Sequence, residues 1–322
     1  MAGRIEPLAL KRVLCATDFS LNAAAALEAA IAFARPSKAE IQVVHVSPFP
    51  VRSAVGVVCR PTAAPGIDEE TRADLVEKLD RFARTAIAAG AETGRVLRQG
   101  DPGEEIVREA QRAQADLIVM GRHSRAAPAR WFLGSVSEAV VSRARCPVMV
   151  MRAFPRPHAP SPRHVLCAVD LGETSAATLT YAAGLTSALE ADLLVLHVVA
   201  GPGEDPCPPS PFEAPEQPRR MVQDARTRLA ALVASASVAR GRVQERVVTG
   251  VPHQEILTVG RENGIDLVVV GSHGDGIFDR QFIGSTTLHL LRESECAVLV
   301  VPAQVVAEAI QSTTPPSQSE EA

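Results

Sequence analysis

Cys15-Ala16-Thr17-Asp18 returns as Cys167-Ala168-Val169-Asp170, and each copy closes a short apolar run. The recurrence does not stop there. A separation of 152 residues links Asp18 to Asp170 and His45 to His197, and one of 150 links Gly100 to Gly250, Gly121 to Gly271, Gly134-Ser135 to Gly284-Ser285 and Cys146 to Cys296. The chain therefore holds two copies of one unit. At roughly 150 residues each copy has the size of a globular domain with its own core, far above the roughly 20 to 50 residues of a solenoid repeat.

Working outward from the first copy, apolar runs alternate with helical patterns. Arg12 to Ala16 reads as a strand, Ser20 to Ala34 as a helix and Ile41 to Val46 as a strand. A second helix carries Leu75, Leu79, Phe82 and Ala86 on one stripe behind the acids Asp68, Glu69 and Glu70. A strand at Val96-Leu97 precedes a helix opened by Asp101-Pro102, where the aspartate is a cap and the proline takes the first helical position. Leu117 to Met120, a helix from Ser135 and Val148 to Met151 complete the unit, and the same order runs from Val165 to Val301 in the second. Such alternation predicts an α/β fold, here two repeated doubly wound domains, each with a five-stranded parallel sheet. The expected boundaries are 1–153 for the first domain, 154–163 for a Pro-rich linker, 164–303 for the second domain and 304–322 for a mobile tail rich in Ser, Pro and Glu.

Net charge is −4 and the isoelectric point near 6.1, so no basic excess recruits nucleic acid or an acidic membrane. No apolar run reaches the roughly 18 residues of a membrane span, and the expected location is the cytoplasm. Six cysteines without a CxxC pair fit that compartment. Cys15, Cys146, Cys167 and Cys296 read as small packing residues, while Cys59 and Cys207 lie in irregular segments and receive no role.

In a doubly wound unit the ligand crevice opens at the carboxyl ends of the strands, where the winding reverses. The residues there are Asp18 and Asp170 after the first strands, then Gly121-Arg-His-Ser124 and Gly271-Ser-His-Gly274 after the fourth. Each loop runs on to Gly134-Ser135 or Gly284-Ser285 at a helix start, where free backbone N–H groups and the helix dipole favour an anion. A phosphate site is expected, without any GxxxxGK[ST] loop. Asp18 and Asp170 are about equally consistent with capping the following helices. Ser135 with Glu138 fits a capping box, whereas Leu288 denies one to Ser285. His45 and His197 have no companion acid or cysteine and read as structural.

The pattern G-x2-G-x9-G-S, with an Asp ending the first strand and His-Val ending the second, resembles the universal stress proteins, and the tandem form covers nearly the whole chain. The resemblance implies an adenine nucleotide, ATP or AMP, bound by Asp170, Val198, Gly271, Gly274, Gly284 and Ser285 in the second unit. The first unit offers Asp18, Val46, Gly121, Gly134 and Ser135, but Ser124 replaces the second glycine. If position 124 needs a left-handed backbone, that replacement costs roughly 1–2 kcal/mol. Arg122, Arg125 and Arg130 favour phosphate in the first loop, whereas Asp275, Asp279 and Arg280 in the second point to Mg²⁺ as a companion. The second site is expected to be the better one.

Three functions follow as expectations: a nucleotide-binding stress regulator acting through protein partners of unstated identity, a nucleotide-free scaffold, and a slow ATPase. The last is least supported, because no activating base stands near the loop and no catalytic residue is assigned. Val148 to Met151 and Val298 to Val301 are expected at sheet edges, where bare apolar strands pair; the two units should cover each other as an intramolecular pseudo-dimer, with a further homodimer unread.

Overall fold

The computed structural model describes residues 7–48, 67–122, 133–152, 161–200, 217–236, 242–272 and 283–303. Within them the first unit runs β1 (Arg12–Ala16), α1 (Leu21–Ala34), β2 (Glu40–Ser47), α2 (Glu69–Ala88), β3 (Thr93–Gln99), α3 (Pro102–Ala113), β4 (Leu117–Gly121), α4 (Ser135–Arg143) and β5 (Val148–Met151). The second repeats it as β6 (His164–Ala168), α5 (Ser175–Leu189), β7 (Asp192–Val199), α6 (Gln217–Ser235), β8 (Val243–Thr249), α7 (Pro252–Glu262), β9 (Leu267–Gly271), α8 (Ser285–Glu293) and β10 (Ala297–Val301). Residues 154–160, most of the linker segment, and the tail from residue 304 lie outside the described residues.

The two five-stranded sheets join into one ten-stranded sheet of order β3-β2-β1-β4-β5-β10-β9-β6-β7-β8. Among the described residues all pairs inside a unit are parallel, and the single antiparallel pair is the junction, where Val150, Met149 and Val148 face Val298, Leu299 and Val300. The two apolar edges expected from the sequence thus satisfy each other's backbone groups.

Because the central strands are covered on both faces, they are continuously apolar, and alternate residues feed two cores. Val13, Cys15, Ile41, Val43, Leu117 and Val119 pack with α1, α2, α5 and α6; Leu14, Ala16, Val44, Ile118 and Met120 pack with α3, α4, α7 and α8. Cys15 and Cys167 are fully enclosed, and burial pushes their thiols up to about 12, so they act as small apolar residues. Helix starts follow local chemistry: Asp68 accepts from the Thr71 N–H at 2.8 Å and Asp101 from the Glu104 N–H at 2.9 Å. In each unit the winding reverses between the first and fourth strands, so a crevice opens beside β1 and β4, and another beside β6 and β9.

Candidate functional site

The second crevice is a cavity of about 350 Å³. Among its lining residues are Asp170, Val198, Gly271, Gly284 and Ser285, which are all the second-unit residues singled out from the sequence except Gly274. Gly274, Asp275, Asp279 and Arg280 lie outside the described residues, as do His123, Ser124, Arg125 and Arg130 of the first loop.

Asp170 stands two residues past β6, on a turn that Leu171 completes in the left-handed region at φ 63°. Its Oδ1 accepts from the Gly172 N–H at 2.9 Å and from the Ser175 hydroxyl at 2.6 Å. The first unit builds the same turn: Asp18 Oδ1 accepts from the Ser20 N–H at 3.0 Å, and Phe19 has φ 62°. Neither aspartate is the cap residue of the helix that follows. Ser20 caps α1 by accepting from the Ala23 N–H, and Thr174 holds the corresponding place before α5. Helix capping therefore does not account for either carboxylate.

Val198 reaches the cavity through its position in β7. Val199 accepts from the Gly250 N–H on the β8 side, so strand alternation turns the backbone groups of Val198 the other way, past the end of β6. Val46 has the same place in β2, where Ser47 accepts from Gly100. His197 and His45 hold the neighbouring strand end, with Nδ1 at 2.8 Å from the Val169 carbonyl and 2.7 Å from the Thr17 carbonyl respectively. Each ring holds a strand end, and His197 also lines the cavity.

At the loop's far end, Gly284 donates to the Ser272 carbonyl at 2.9 Å and is the N-cap of α8, with no side chain occupying the cap. The first N–H groups of α8 therefore lack an intrahelical partner. Ser285 is exposed at the first helical position. Gly134 repeats this before α4, donating to the Arg122 carbonyl at 3.1 Å, with Ser135 exposed. The capping box expected of Ser135 and Glu138 is not formed: the cap is Gly134, and Glu138 instead lies 4.0 Å from Arg292 of the second unit. The expected contrast between Ser135 and Ser285 on that ground disappears.

Two first-unit residues have roles the sequence reading did not assign. A Cβ on Gly121 would sit 2.8 Å from the Asn22 Cβ, so this glycine lets the first turn of α1 lie against β4. Arg122, expected to favour phosphate, is 3% exposed and donates to the carbonyls of Arg292 at 2.7 Å and Ser294 at 3.3 Å, at the end of α8. Burial, then the charge of Arg152, lowers its guanidinium to about 10. Arg122 ties the units together. Sequence reading also missed Thr174, Ser175, Thr286 and Thr287 on the cavity wall; their placement in the first turns of α5 and α8, beside the motif residues, was the available signal.

A model of the universal stress protein family matches residues 9–152 and again 162–302. The chain is similar to universal stress protein MJ0531 of Methanocaldococcus jannaschii, 34% identical over 145 residues that make up 44% of this chain and 82% of that one. It is also similar to universal stress protein Rv2005c of Mycobacterium tuberculosis, 32% identical over 203 residues, 58% of this chain and 62% of that one. A crystal structure of a universal stress protein from Archaeoglobus fulgidus DSM 4304 aligns over 90% of this chain and 96% of its own, with a TM-score of 0.63 and 24% identity, a likeness of fold.

Proposed function

Because this chain belongs to the universal stress protein family in both of its halves, we propose that it is a stress-response regulator that binds an adenine nucleotide, with the second unit as the better site. The observation that carries the reading is the cavity of about 350 Å³ in which Asp170, Val198, Gly271, Gly284 and Ser285 converge. That volume lies in the range of small-molecule sites, roughly 300–1,000 Å³. The cavity offers what a nucleoside phosphate needs: apolar walls from Ile256 and Val270, a carboxylate at Asp170 for ribose hydroxyls, a strand backbone at Val198 for the base, and the start of α8 for phosphate.

No Lys or Arg stands among the described residues that line the cavity. Phosphate charge would then be met by the α8 backbone and by a divalent cation, which supports Mg²⁺ as companion. Nucleotide occupancy would shift conformation and so the choice of protein partner.

The test is to denature the purified chain, identify any released nucleotide by mass, and titrate ATP and AMP by calorimetry with and without Mg²⁺. Near-unit stoichiometry supports one competent half, and two sites would show that Ser124 is tolerated. A folded sample with neither bound nucleotide nor heat of binding overturns the proposal in favour of a nucleotide-free scaffold.

A further inference from the structure

Three side chains of metal-ligating type meet where α7 packs on α8. His253 lies in the first turn of α7, and His289 and Glu293 stand four residues apart in α8. The two imidazoles stack with centroids 4.1 Å apart and planes inclined by 15°, and His289 Nδ1 lies 2.9 Å from Glu293 Oε1. One ligand atom from each residue lies within 4.8 Å of the other two, and all three residues are half-buried. Tetrahedral coordination with bonds of about 2.0–2.1 Å places ligand atoms roughly 3.4 Å apart, a contraction that side-chain rotation supplies.

The first unit carries different residues at these positions. The residues 150 positions earlier are Gly103, Ala139 and Arg143. A Cβ on Gly103 would sit 2.8 Å from the Ala139 Cβ, so α3 and α4 touch directly. In the second unit the same two contact positions carry imidazoles, and the third exchanges a guanidinium for a carboxylate. Glu293, one helical turn past His289 and already within hydrogen-bond distance of its ring, adds a carboxylate beside the stacked imidazoles.

We propose that His253, His289 and Glu293 form a binding site for a divalent transition-metal ion of the Zn²⁺ class. Two imidazole nitrogens with one carboxylate suit Zn²⁺, Co²⁺, Ni²⁺ or Cu²⁺ and discriminate against Mg²⁺ and Ca²⁺, which take oxygen ligands. The site is independent of the nucleotide reading. A bound ion clamps the first turn of α7 to α8, the helix whose N-cap is Gly284.

The experiment uses the full chain stripped of metal by a chelator, titrated with Zn²⁺ by calorimetry and with Co²⁺ by absorption. The expected result is one equivalent of Zn²⁺ bound at micromolar free metal or below, a Co²⁺ spectrum without a thiolate charge-transfer band, a rise in Tm with Zn²⁺, and no response to Mg²⁺ at this site. The double variant His253→Ala with His289→Ala should lose about a hundredfold or more in Zn²⁺ affinity and lose the Zn²⁺-dependent rise in Tm. Glu293→Gln, which keeps the helix contact, should weaken binding at least about tenfold and decides the matter if the double variant does not fold. Unchanged affinity in Glu293→Gln, a thiolate band placing the ion on cysteine, or no binding by the folded chain would overturn the proposal.

Discussion

His197 Nδ1 lies 2.8 Å from the carbonyl oxygen of Val169, the residue just before Asp170. A carbonyl only accepts, so Nδ1 carries the proton, and the ring holds the end of β6 where the chain turns into the cavity. Removing the ring leaves that carbonyl without its donor. His197→Ala should therefore cost about 1–3 kcal/mol of stability, read as a lower urea midpoint at unchanged m. His197→Asn, whose amide nitrogen falls near the place of Nδ1, should recover much of it. Equal losses in both variants would mean that ring packing, not the hydrogen bond, matters.

The equivalent ring in the first unit is sensitive to pH. Burial holds His45 below its ordinary value; the Thr17 carbonyl and Asp18 act in the opposite direction, and Lys78 adds to the lowering. A lowered folded pKa means that the unfolded chain takes up the proton first as pH falls. The stability tied to neutral His45 is thus fully present above the ordinary histidine value, about 6.5, and is lost as pH drops from there through the lower folded value. Between about pH 7.5 and about pH 5.5 the parent should lose more Tm than His45→Asn. A variant that falls in parallel with the parent would assign the acid sensitivity to other groups.

How much of this was legible beforehand depends on the range of the interactions. The strands, the helices and the winding follow from alternation and periodicity, which are local, and both ladders fall where the apolar runs stand. The antiparallel seam of β5 and β10 was readable because a bare apolar edge needs a partner. The capping box was misread because the helix begins one residue earlier than that pattern requires, with Gly134 as cap. Arg122 was misread for a different reason: its acceptors, Arg292 and Ser294, are 170 and 172 residues away, and nothing near position 122 announces them. His253 and His289 belong to separate helices; their one sequence signal was the comparison with Gly103 and Ala139 in the other copy.

Gly284→Asp separates folding from binding. An aspartate at a helix N-cap accepts from the first-turn N–H groups and favours the negative charge there, so α8 should be as stable as in the parent or more so. The same carboxylate occupies and repels the place expected for phosphate. Nucleotide affinity in calorimetry should fall at least about tenfold, roughly 1.4 kcal/mol, with Tm unchanged or raised. Binding equal to the parent would remove the start of α8 from the site.

Arg122 joins the two units at a point their repeat does not share, since the matching position is Ser272, whose hydroxyl oxygen accepts from the Ala303 N–H at 3.3 Å within its own unit. Its guanidinium serves two carbonyls at the C-terminal end of α8, where a cation also meets the favourable end of the helix dipole. Hydrogen bonds from a charged donor are worth about 1.5–3 kcal/mol, and truncation leaves buried acceptors unpaired. Arg122→Ala should lower the denaturation midpoint by an amount in that range and speed cleavage by protease between the units. Arg122→Lys should recover only part, because an ammonium lacks the reach and planar fork of the guanidinium. A midpoint unchanged in Arg122→Ala would leave the β5–β10 seam as the main support of the junction.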